Sequence, residues 1–148
     1  MLAAAPAIVA ADGQWATLNQ GRTCEAAARS TGAAIKDRPQ ARASLSFDAG
    51  GPRHGQLAVR LSRQPRPGAT VMLTVGDQPF LLMSQGDMAW SRGPRQERAI
   101  ITAMRTSSGM RVEAREAGGR RIVDRYSLEG APLAIDAAAA CSATLVNR

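Results

Sequence analysis

The sequence predicts a mainly β (α+β) domain: an antiparallel β-sandwich or a strongly curved sheet of about eight or nine strands. A short helix is expected near 95–104 and a second, C-terminal helix near 132–142. Three observations support this. Short segments alternating between apolar and polar residues recur between glycine, proline and aspartate turns, which is the period of a half-buried strand. Only two segments switch to helical spacing. The hydrophobic content of 45% suits a packed core, and it includes only two Trp, two Phe and one Tyr. Leu, Ile, Val, Met and Ala must therefore build that core.

The first hairpin is expected over Gln14–Leu18 and Cys24–Arg29, turning at Asn19–Gly21. Ser30–Gln40 is polar, ends near Pro39, and reads as a loop. Ala43–Asp48 and Gly55–Ser62 alternate about the turn Ala49-Gly50-Gly51-Pro52, with Leu45, Phe47, Leu57, Val59 and Leu61 inward. Pro65 and Pro67 make Arg63–Gly68 a loop, because proline gives no donor to a ladder. Ala69–Val75 and Pro79–Ser84 flank Gly76–Asp77, a strong hairpin signal. The unbroken apolar run Phe80–Met83 reads as a strand buried on both faces, and Asp87–Ser91 follows as a short strand carrying Trp90.

Gly93-Pro94 places proline in the first turn of a helix over Arg95–Met104, with Ile100, Ile101 and Met104 on its apolar face. Met110–Glu116 and Arg121–Leu128 flank Gly118–Gly119. A two-residue turn would set Val112 against Arg125 and Ile122 against Arg115, mixing apolar with charged side chains. An odd-length loop, Gly118–Arg120, sets Met110 opposite Leu128 and Val112 opposite Tyr126, and turns Ile122, Asp124 and Tyr126 inward. Gly130-Ala131-Pro132 then opens the last helix, whose inward face is expected to hold Leu133, Ala134, Ala137, Ala138 and Cys141. The domain is expected over 12–148. Residues 1–11, MLAAAPAIVAA, read as the remnant of a signal peptide or a disordered leader, with Val9 and Ala11 at signal-peptidase spacing.

Two cysteines lie near opposite ends of the chain. In an exported protein such a pair is oxidised, and a Cys24–Cys141 bridge would tie the first hairpin to the inward face of the last helix. It would close a loop of about 118 residues, which chain entropy values at roughly 4–5 kcal/mol. With a single histidine and no Cys-x-x-Cys, the chain has no metal or cofactor motif. No segment approaches transmembrane length. The formal net charge is +7, carried by arginines spread along the chain, with Lys36 the sole lysine. This fits a solvated basic surface that attracts anionic envelope components or, nonspecifically, nucleic acid.

Catalytic signals are absent: His54 stands in a turn, and no Gly-x-Ser-x-Gly elbow occurs. Asp124, inward in the expected register, needs a partner, for which Arg111 or Arg105 is available. Trp15 and Trp90 both read first as core anchors. Trp90, with Arg92 and Arg95 nearby, is the candidate binding surface, because an aromatic face beside guanidinium groups suits a sugar, an anionic headgroup or a protein partner.

An ordered set of features resembles the invasion-associated locus B family of exported alphaproteobacterial proteins. It comprises the Trp15 strand followed by Cys24, the strand pair Thr70–Val75 and Pro79–Ser84, and Ala89-Trp90. The segments Ile100–Met104 and Asp124-x-Tyr126-Ser127-Leu128-x-Gly130 follow, then a helix ending in Cys141. The chain departs from the family in lacking further central cysteines and in having Ala131 where an aromatic is usual. The resemblance implies a β-sandwich-like body, periplasmic or secreted location, and a non-enzymatic role in the envelope or in host association. That role is expected to work by binding a protein or an anionic envelope component. The alternatives are a small basic cytosolic nucleic-acid-binding domain and, less favoured, a hydrolase of unrecognised type. The sequence sets no oligomeric state.

Overall fold

The computed structural model describes residues 7–146. Ten strands run in chain order with two helices: β1 (Ala7–Asp12), β2 (Trp15–Asn19), β3 (Thr23–Arg29), β4 (Arg42–Asp48), β5 (His54–Arg60), β6 (Val71–Val75), β7 (Gln78–Gln85), β8 (Met88–Trp90), α1 (Pro94–Thr106), β9 (Gly109–Arg115), β10 (Arg121–Ser127) and α2 (Ala131–Val146). All strands are antiparallel in one open sheet of order β1-β2-β3-β4-β5-β8-β7-β6-β9-β10. Of the two expected architectures, the curved sheet is the one formed.

The curvature turns on β7. Its first residues, Gln78–Leu82, pair with β6, and its last, Met83–Gln85, pair with β8. One strand thus belongs to both halves of the sheet. The far ends then approach each other: Gln14 N donates to the Glu129 carbonyl at 3.1 Å, and Trp15 Nε1 to the Ser127 carbonyl at 2.8 Å. Gly13 permits this contact. Its φ is +55°, and a Cβ there would lie 2.5 Å from the Glu129 carbonyl oxygen.

Both helices cover the concave face, where one core runs from Trp15 through Leu45, Leu57, Leu73, Ile100, Val112 and Ile122 to Ala138 and Cys141. Pro94 opens α1, which buries Ile100, Ala103 and Met104. At Gly55, on β5, a Cβ would meet the Ile101 side chain at 2.7 Å, so glycine sets how closely α1 lies on the sheet. A buried link holds the start of α1 to β5: Ser91 Oγ donates to Glu97 Oε2 at 2.5 Å and accepts from Leu57 N at 3.0 Å. On the other side Thr17 Oγ1 donates to the Ala134 carbonyl at 2.8 Å, seating α2 over β2. The Cys24–Cys141 disulfide joins β3 to α2 across a Cα–Cα distance of 6.1 Å, within the range a bridge requires.

Several details differ from the sequence reading. The tenth strand is β1: Ala7–Ala11, read as a leader or disordered tail, pairs with β2 together with Asp12, while residues 1–6 lie outside the described residues. Phe80–Met83 is not buried on both faces, since Leu81 and Met83 are exposed on the convex side. Among the described residues nothing buries that side of β7 at Leu81 and Met83. In α2 the buried stripe is Ala131, Ala134, Ile135, Ala138, Cys141 and Ser142, and Leu133 points outward. The β9–β10 loop has odd length, as apolar pairing demanded, but it is Ala117–Gly119, closed by Glu116 N on the Arg120 carbonyl. Each pair is therefore displaced by two residues: Met110 faces Tyr126 and Val112 faces Asp124. A two-residue shift keeps every side chain on its face, so Ile122, Asp124 and Tyr126 are buried as expected.

Candidate functional site

β10 is the last strand of the sheet, so one of its edges has no neighbouring strand. Antiparallel pairing makes alternate residues bond to alternate sides. Leu128 N donates to the Ser108 carbonyl and Glu116 N to the Arg120 carbonyl. With the β9–β10 register, these bonds direct the even-numbered residues of β10 toward β9. The odd-numbered residues, Arg121, Val123, Arg125 and Ser127, turn their backbone groups to the open edge. The Ser127 carbonyl accepts Trp15 Nε1, and the Arg125 carbonyl accepts Thr31 N at 2.8 Å. The amide and carbonyl groups of Arg121 and Val123 have no backbone partner at that edge among the described residues.

A cleft of about 440 Å³ lies along this stretch, between Arg120–Arg125, the loop Ser30–Ile35 with Pro39–Ala41, and Ser62–Arg63. The loop is fixed at both ends. Thr31 holds it to Arg125, and Gln40 Nε2 donates to the carbonyls of Ser30 (3.1 Å) and Gly32 (2.9 Å). Arg38 Nε ties it to the Ser62 carbonyl at 2.8 Å.

Four arginines line the cleft: Arg63, Arg120, Arg121 and Arg125. Arg121 is engaged by Glu113, while Arg63 lies 3.8 Å from Glu116. The guanidinium groups of Arg120 and Arg125 make no ion pair among the described residues. Asp124 is the one carboxylate in the lining; it is buried, and its Oδ2 accepts the Ser62 amide at 2.8 Å. The cleft therefore carries surplus positive charge beside unpaired strand-edge amides and carbonyls. Such a surface can take up an anionic group or an extended chain.

The proposed Asp124–Arg111 ion pair does not form. Arg111 lies opposite Arg125 in the ladder, on the face away from Asp124, and its Nε donates to Glu113 at 2.5 Å. Arg105 pairs with Asp136 instead. A backbone amide satisfies Asp124 where a guanidinium was expected. Arg111 and Arg121 together hold the Glu113 carboxyl below the usual carboxylate range. Tyr126, next to Asp124 on the inner face, has its phenol pushed up, first by burial and then by the Asp124 charge. Its hydroxyl has no hydrogen-bond partner among the described residues.

The surface expected around Trp90, Arg92 and Arg95 is only partly assembled. Arg92 and Arg95 line a shallow groove of about 520 Å³ with Phe80, Pro94, Gln96 and Ala99. Arg92 Nε and Gln96 Nε2 both donate to the Leu81 carbonyl, at 2.9 and 2.8 Å. Trp90 is half-buried on β8, in register with Ala58 and Met83; it neither lines that groove nor enters the core as the first reading expected. Trp15, by contrast, is the core anchor expected. His54 is exposed at the start of β5 and lies outside the basic cleft.

Sequence reasoning overlooked Arg63, Arg120 and Arg125. Their signal was the Arg120-Arg121 pair leading into a strand, but nothing local marks that strand as the edge. Comparison with family models, with curated proteins and with solved structures finds no match to this chain.

Proposed function

We propose that the chain is an exported protein of the bacterial envelope, of the kind found in the invasion-associated locus B family, and that it acts by binding a partner rather than by catalysis. The observation that carries this reading is the Cys24–Cys141 disulfide. Such bridges persist in oxidising compartments and are rare in the cytosol. Among the described residues no helix is long and apolar enough to cross a membrane.

The basic cleft supplies the binding surface. Its acid, Asp124, has no second carboxylate beside it in the lining and is turned toward a backbone amide. General acid–base chemistry on the two-carboxylate pattern has no basis there. The lining contains no aromatic side chain, so it lacks the stacking platform of single-strand nucleic-acid binders.

The test is to raise an antibody against the chain, fractionate the bacterium that makes it, and alkylate before and after reduction. An oxidised chain in the periplasm or medium is expected. A cytosolic chain with both thiols alkylated before reduction would overturn the reading.

A further inference from the structure

The geometry points to the open edge of β10 as a docking site for an extended acidic peptide segment, added as a short eleventh strand inside the basic cleft. This deepens the binding role proposed above by naming the class of partner. Three observations lead to it. Among the described residues, the backbone groups of Arg121 and Val123 face the cleft without strand partners, while Thr31 occupies the next position at Arg125. Native sheets ordinarily cover or blunt such an edge, and an unpaired edge is a template for another chain. Here the loop 30–41 stands beside the edge without pairing along it except at Thr31.

The second observation is charge. Residues directly opposite each other on antiparallel strands share a face. An incoming residue opposite Arg121 would therefore lie on the face that also carries Val123 and Arg125. Arg120 and Arg125, without ion-pair partners among the described residues, flank the two open backbone positions. An acidic side chain at every second residue on that face meets Arg121 and Arg125, while Arg120, on the opposite face, adds to the positive charge of the cleft; a basic one is repelled. The third is size. The stretch Arg120–Arg125 spans roughly 17 Å at strand rise, and the cleft volume of about 440 Å³ admits a few residues rather than a folded domain.

The probe is a fluorescein-labelled hexapeptide of alternating glutamate and valine, titrated with the oxidised full chain at low salt and followed by anisotropy. Three companions replace every glutamate with lysine, N-methylate the glutamate amides, or N-methylate the valine amides. In the proposed register the glutamate amides bond to the edge and the valine amides face away. N-methylation at glutamate should weaken binding roughly tenfold or more, since it removes backbone hydrogen bonds. N-methylation at valine should leave it nearly unchanged, and the lysine peptide should not bind.

On the protein side, Val123→Pro deletes an amide on the open side of β10 and leaves the β9 ladder intact, so it should abolish binding. The double variant Arg120→Ala/Arg125→Ala touches no core residue and tests the charge should the proline disturb the strand. Equal binding of all three glutamate peptides, binding of the lysine peptide, or no binding of the parent peptide would each overturn the proposal. None of these readouts depends on the compartment, so this proposal and export can fail separately.

Discussion

Ser62 and Asp124 stand 62 residues apart, yet the Ser62 amide donates to Asp124 Oδ2 at 2.8 Å. This bond fastens the segment after β5 to β10, across the mouth of the curled sheet. It also explains how a buried carboxylate is tolerated on the inner face: the group accepts a hydrogen bond instead of facing hydrocarbon.

Asp124→Ala should therefore destabilise the chain by leaving the Ser62 amide without its acceptor. Loss of a buried partner is worth about 1–3 kcal/mol, or roughly 2–4 °C of melting temperature per kcal/mol at this chain length. Asp124→Asn retains an oxygen acceptor and should lose less. Thermal melts of the three oxidised proteins check the order. Equal melting temperatures for Asp124→Ala and the parent would show that the bond does not contribute.

The Cys24–Cys141 bridge spans a sequence separation of 117. Reduction should lower the urea midpoint, corresponding to a loss of unfolding free energy that the chain-entropy model sets at about 4–5 kcal/mol less any strain. A Cys24→Ser/Cys141→Ser variant should unfold at the reduced protein's midpoint with or without reductant.

Asp48 and Arg53 bracket the β4–β5 turn with bonds from Arg53 Nε (2.9 Å) and Nη2 (2.7 Å) to the carboxylate. The Arg53 guanidinium holds the Asp48 carboxyl at about 2, against an ordinary value of 3.8. A folded-state value below the unfolded one means that the pair stabilises the fold above pH 4 and loses this effect as pH falls toward 2. Glu113, also lowered, acts in the same direction. Urea midpoints measured from pH 5 to 2 should fall, and Asp48→Asn should flatten part of that fall. An unchanged slope in the variant would remove Asp48 from the account.

Ser91 serves two buried groups at once, the Leu57 amide and the Glu97 carboxylate. Ser91→Ala leaves both without this partner and should destabilise by about 3 kcal/mol, since each buried polar group left without its partner costs about 1–3 kcal/mol. Ser91→Thr keeps the hydroxyl and should lose less. If alanine and threonine unfold alike in urea, packing rather than the hydrogen bonds governs this position.

Strands β2 to β10 and both helices were legible because period-2 and period-3.6 patterns are local properties of the chain; β1 was not, because its apolar run Ala7–Ala11 shows no alternation. Gly76-Asp77 and Gly93-Pro94 marked their turns without reference to anything distant. Facing was legible too, since burying Met110, Val112, Ile122 and Tyr126 together admits only an odd-length loop. The register within that parity was not, because a shift by two keeps every face and only loop closure at Glu116 and Arg120 selects among the options. Leu81 and Met83 looked buried because sequence shows their hydrophobicity but not whether a second layer covers them.

By itself the sequence determined the inventory: antiparallel strands, two helices, one apolar core, and two cysteines that a single bridge could join. Tertiary structure decided the rest. It decided that β7 serves both halves of the sheet, that the sheet curls without closing, and that β10 keeps an open edge. It also decided that Asp124 answers to Ser62 and not to Arg111. The reason is physical: side-chain period is written in neighbouring residues, whereas strand order and edge exposure depend on contacts between residues far apart. The cleft at β10 exists only through such contacts, and so no local pattern of Arg120, Val123 or Arg125 could announce it.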